Sequence, residues 1–154
     1  MSARMAPNRN LHWIIAACAV VTVATGFALG RIDAPGWEML WLHVGVGVAT
    51  GMLSLWRLLR RVRGAQVLAP LFPKLASFVH LALTVIPLGM MASGIGMLVL
   101  TRAPVLARGN PVPDFNAVAP SVPHGIGAKL LIALVTLHIL AGAFHAWSNR
   151  RAAA

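Results

Sequence analysis

His124-Gly-Ile-Gly-Ala-Lys-Leu-Leu-Ile-Ala-Leu-Val-Thr-Leu-His138 is the stretch that decides the architecture. Fourteen residues of α-helix advance about 21 Å and make close to four whole turns. Both imidazoles therefore project from roughly one face of a single apolar helix, at two widely separated depths. Two more histidines, His12 and His43, sit in two other apolar segments that should run in opposite directions. Four histidines so placed can form two facing pairs, one near each end of a bundle.

Composition sets the class. The 154-residue chain is 58% hydrophobic and only 10% charged, far from the roughly one-quarter charged residues of soluble domains. Four apolar runs stand out, at about 11–30, 37–59, 75–100 and 122–147. Each reaches the roughly 20 residues needed to cross about 30 Å of hydrocarbon. A soluble domain of this size could not bury so much apolar surface. The expectation is an all-α integral membrane four-helix bundle, one domain over residues 1–154, with multi-pass topology.

The net charge of +10 resembles a nucleic-acid signal until its location is read. Arg4, Arg9, Arg57, Arg60, Arg61, Arg63, Lys74, Arg150 and Arg151 fall on one side of the bundle with no acidic residue. Arg31, Arg102, Arg108 and Lys129 fall on the other, diluted by Asp33, Glu38 and Asp114. The positive-inside rule then places both termini in the cytoplasm. The basic cluster suits anionic lipid head groups, and nucleic acid is not an expected partner. Arg4 and Arg9 could open a signal peptide, but the apolar stretch exceeds the usual h-region and no convincing cleavage site follows. The first run reads as a retained helix. The lone Cys18 inside it reads as a small core residue, and without a Cys-x-x-Cys-His motif no c-type haem attachment is expected.

The connections follow from breakers. Gly30–Gly36, with Asp33 and Pro35, reads as a short turn. Arg60–Lys74 reads as a basic cytoplasmic loop broken by Pro70 and Pro73. Thr101–Pro123, with five prolines, should lie at the outer surface as a loop or short helix. Ser121 is the expected N-cap of the last helix, with Pro123 in its first turn.

Depth decides which histidines face each other. His43 lies six residues into its helix, roughly 9 Å from the outer end. His12 lies eighteen residues, roughly 27 Å, from the outer end of its own. That difference of about 18 Å is close to the roughly 21 Å between His124 and His138. The pairs His43/His124 (outer) and His12/His138 (inner) match in depth; His12 with His124 would join opposite membrane faces.

A histidine in lipid is costly unless it faces the bundle interior and finds a partner. Neutral imidazole is a good iron ligand, and facing helices commonly hold cofactors. Two axial imidazoles leave no open position for oxygen, which favours electron transfer. Two haem b groups, one per pair, are the expected cofactors. Arg57, fourteen residues after His43, faces the inner site and reads either as a partner for a haem propionate or as a snorkelling boundary arginine. Lys129 carries the same two readings. Gly45, Gly47 and Gly51 form a small-residue stripe that suits either a flat macrocycle or close helix packing. His80 and His145, near the cytoplasmic edge, are alternative inner ligands, parts of a quinone or proton site, or simple interfacial hydrogen-bonders. The five tryptophans need only the aromatic-belt explanation.

Asn10-Leu11-His12-Trp13, Leu42-His43, Trp56-Arg57-Leu58 and Leu137-His138 followed by His145 together resemble the bacterial cytochrome b-561 family. That family includes superoxide oxidase and is similar to the cytochrome b subunits of formate dehydrogenases and nickel–iron hydrogenases. The resemblance runs from about Asn8 to Trp147. It implies two b haems on the same two histidine pairs, a quinone partner such as ubiquinone, and a multi-pass place in the bacterial inner membrane. Gly125 stands where family members often carry an acidic residue, and Met91 where proline is frequent. The expected function is a dihaem carrier between a quinone pool and an outer donor or acceptor, either superoxide or a soluble redox protein. The alternatives are a histidine-using transporter or proton conductor and a haem-free assembly subunit. Neither internal repeats nor intramembrane carboxylates support the former.

Overall fold

A computed structural model describes residues 9–32, 36–62, 73–106 and 110–152. Arg4, Pro7, Asp33, Pro35, Arg63, Pro70 and Arg108, and the side chains of Arg61 and Lys74, lie outside the described residues. Four long helices dominate: α1 (Arg9–Leu29), α2 (Trp37–Val62), α3 (Pro73–Leu100) and α5 (Ser121–Ala152). All four are long and apolar enough to cross a membrane. A one-turn helix α4 (Ala103–Leu106) and a 3-10 turn (Phe115–Ala117) lie in the connection before α5. The protein is an all-α membrane helical bundle.

The ends of these helices follow local chemistry. Pro73 opens α3 at a position where its missing N–H costs nothing. Pro87 sits inside α3 without ending it, as membrane helices tolerate when neighbouring groups serve the freed carbonyl. Arg102, just past α3, takes a left-handed conformation (φ 55°), the geometry that closes many helix C-termini. Ser121 is not the N-cap of α5. It is already helical, the amide of His124 donates to the Pro120 carbonyl (3.2 Å), and the Ser121 hydroxyl reaches back to the Asn116 carbonyl (3.5 Å). Pro120 therefore stands at the cap, and the helix starts one residue earlier than expected. At its other end α5 runs five residues past Trp147, to Ala152.

Packing is sequential. Helix α1 lies against α2, α2 against α3 and α3 against α5, whereas α1 and α5 share no extensive interface among the described residues. Thr50, Ser54 and Thr84 are buried, each short enough to let backbones approach, and the Thr50 hydroxyl lies 3.4 Å from that of Thr22 on α1. Helices α2 and α3 also approach closely. A Cβ on Gly51 would stand 2.8 Å from Cβ of Met91. That contact assigns Gly51 to helix packing, and Gly47, 3.6 Å by the same measure from Thr22, does the same toward α1. Large apolar side chains such as Trp13, Phe27, Leu42, Phe78 and Phe144 are exposed, as a lipid-facing surface requires. The indole N–H of Trp37 donates to the Asn110 carbonyl (2.7 Å), tying the start of α2 to the connection before α5.

Candidate haem-binding site

Each long helix contributes one residue to each of two layers, and on every helix the two are fourteen residues apart. Near the α1–α2 turn, the connection layer holds Gly26 (α1), His43 (α2), Gly94 (α3) and His124 (α5). Toward the chain termini, the terminal layer holds His12, Arg57, His80 and His138 from the same helices in the same order. Four helical turns return a side chain to nearly the same direction, so one spacing builds both layers.

In the connection layer the rings of His43 and His124 face each other with centroids 6.2 Å apart and planes at 68°. Each ring is held from the neighbouring helix. Nδ1 of His43 is 3.1 Å from both the Thr22 carbonyl and the Thr25 hydroxyl. Nδ1 of His124 is 3.1 Å from both the Met90 carbonyl and the Ser93 hydroxyl. A carbonyl only accepts, so Nδ1 carries the proton and donates. The other nitrogen, Nε2, is then the one with a free lone pair. Holding a ligand histidine through its second nitrogen in this way is a general feature of metal sites. Both edges fit closely against glycine: a Cβ on Gly26 would stand 3.0 Å from Cε1 of His43, and one on Gly94 would stand 3.3 Å from Cε1 of His124, so a larger residue would push the ring by a few tenths of an ångström.

In the terminal layer His12 and His138 face each other at 6.1 Å and 65°. Arg57 interacts electrostatically with both. His80 stands edge-on to His138 at 5.1 Å. His145 lies two turns further along α5, half-buried beside Phe144. Lys129 is exposed.

The two 6 Å separations are the quantitative test of fit. A metal–imidazole bond of about 2.0 Å, plus about 1.1 Å from ring nitrogen to ring centre, separates two opposed axial imidazole centroids by roughly 6.2 Å. Both facing pairs meet that span. His80 and His138, at 5.1 Å, are too close to clamp an ion between opposed nitrogens. Among the described residues no three His, Cys, Asp or Glu side chains gather into a metal cage. An axially ligated haem asks the protein for only two ligands, because the macrocycle supplies the rest.

The profile of prokaryotic cytochrome b561 matches residues 4–154. The chain belongs to that family. No curated protein and no solved structure matches it. Membership makes this cytochrome a membrane b-type electron-transfer protein that binds haem b, and the four long apolar helices make it multi-pass. Four residues around the cytochrome's facing His43 and His124 were missed in the sequence: Thr25, Gly26, Ser93 and Gly94. For the two glycines, the fourteen-residue steps from His12 to Gly26 and from His80 to Gly94 were the available signal.

Proposed function

We propose that this cytochrome carries two b haems and passes electrons across the inner membrane between a quinone and an outer-side partner. The observation that carries the reading is the pair of 6.1 and 6.2 Å ring separations at two depths of one bundle. His43 and His124 hold the outer haem, and His12 and His138 the inner one. When bound, these haems supply one-electron ferric–ferrous exchange. With two histidines holding each haem, no position would be left for oxygen to bind, and electron transfer would be the chemistry. Arg57 offers the inner haem's propionates a counter-charge. His80, edge-on to His138, and His145, two turns further along α5, are the candidates for a quinone or proton site beside the inner haem. The basic residues clustered at the terminal end support a cytoplasmic position for both termini.

Pyridine haemochrome quantitation against protein mass tests the reading: two equivalents are expected, and one or none overturns it. His138→Ala should remove one haem and leave the other. A result in which His138→Ala keeps both while His145→Ala loses one reassigns the inner ligand. Stopped-flow mixing identifies the outer partner. Rapid haem reduction by superoxide that added salt slows makes the chain a superoxide:quinone oxidoreductase; no reduction makes the partner a soluble redox protein.

A further inference from the structure

Two helices with different sequences present the same local device to the connection layer. On α1 it is the Thr22 carbonyl, the Thr25 hydroxyl and Gly26; on α3 it is the Met90 carbonyl, the Ser93 hydroxyl and Gly94. The underlying sequences are Ala24-Thr25-Gly26 and Ala92-Ser93-Gly94. Carbonyl, hydroxyl and glycine occupy positions n, n+3 and n+4 in both, and each set grips one of the two facing imidazoles.

Membrane-helix hydroxyls ordinarily bond the carbonyl one turn back, as Thr50, Thr84, Thr101 and Thr136 do here. Thr25 and Ser93 do this and something more. Thr25 donates to the Val21 carbonyl (2.8 Å), and Ser93 donates to the Met90 carbonyl (3.0 Å). With its one proton so engaged, each hydroxyl turns a lone pair toward Nδ1–H of the histidine. Each ring N–H then faces two oxygen acceptors. Acceptors at the far nitrogen make imidazole a stronger donor through Nε2, and a stronger donor stabilises ferric over ferrous iron.

We infer that Thr25 and Ser93 are positioning residues that lower the reduction potential of the iron held between His43 and His124; this rests on the haem assignment above. The test is a spectroscopically resolved redox titration of the full-length, haem-loaded protein and of Thr25→Val, Ser93→Ala and the double variant. Electron paramagnetic resonance of the ferric haems is read alongside. Each single variant should raise the midpoint of one haem and leave the other in place. A threefold to tenfold shift in its ferric–ferrous equilibrium reads as roughly 30–60 mV for a one-electron couple. The double variant should move further, and Thr25→Ser and Ser93→Thr should restore the wild-type value. Loss of that haem alone, with the second retained, also supports the positioning role. Thr101→Val, which removes a hydroxyl that bonds only carbonyls of its own helix, is the control. Unmoved midpoints with full haem content overturn the inference, as does an equal effect of Thr101→Val. If His43→Ala removes no haem from the protein, the haem assignment itself fails, and this outcome is distinct from unmoved midpoints.

Discussion

Gly26 and Gly94 press against the edges of the two rings unequally, and that inequality makes a prediction. A methyl on Gly26 meets Cε1 of His43 at 3.0 Å, one on Gly94 meets His124 at 3.3 Å. The tighter contact must displace the ring more. Gly26→Ala should weaken retention of the connection-layer haem by about tenfold or more, within the range seen for disturbed ligand supports, and Gly94→Ala by less. Haem-to-protein ratios during titration with a competing apoprotein measure both, and an inverted order contradicts the contact geometry. Arg57 gives a second residue-scale prediction. A unit charge within about 10 Å contributes on the order of 1–2 kcal/mol at an effective dielectric near 20. Removing it in Arg57→Gln withdraws a cation that favours the reduced iron, so the terminal-layer midpoint should fall. A redox titration in which that midpoint stays or rises removes Arg57 from the site.

At the scale of helices, α2 and α3 interlock through Gly51 and Met91. Gly51→Val should overpack that contact and cost about 1–3 kcal/mol, and Met91→Ala should recover part of the loss by making room. Thermal denaturation in detergent of the two single variants and the double reads this coupling; simple additivity means the residues do not interact. The same pair shows where sequence reading stops. The four apolar runs located every long helix, because twenty apolar residues in a row have one physical solution in lipid. The pairing of His43 with His124 and of His12 with His138 was equally legible, since depth along a helix is fixed by residue count alone. Whether Gly47 and Gly51 served a macrocycle or a neighbouring helix was not legible, because that depends on which side chain approaches from α1 or α3. Thr25 and Ser93 escaped for the same reason. A hydroxyl in an apolar helix looks like ordinary back-bonding until the ring opposite it is in place. The bond from Trp37 to Asn110, 73 residues away, is likewise a tertiary fact with no local trace.

For the molecule as a whole, charge distribution predicts orientation. In a Cys18→Ser background, cysteine at Asn110 should react with an impermeant thiol reagent in intact spheroplasts, and cysteine at Ala65 should not. The opposite pattern inverts the protein and exchanges which layer meets which compartment. The sequential packing of α1 on α2, α2 on α3 and α3 on α5 also has a meaning in time. A chain emerging from the ribosome always finds the partner of its newest span already in the bilayer, so the bundle can grow by one neighbour at a time. Both facing pairs, however, take their second histidine from α5. A nascent chain halted before residue 124 exposes His12 and His43 with nothing opposite either of them. Translation therefore acts as the clock for maturation: neither axial pair can close until the last span has been synthesised, and both become closable within the same few seconds.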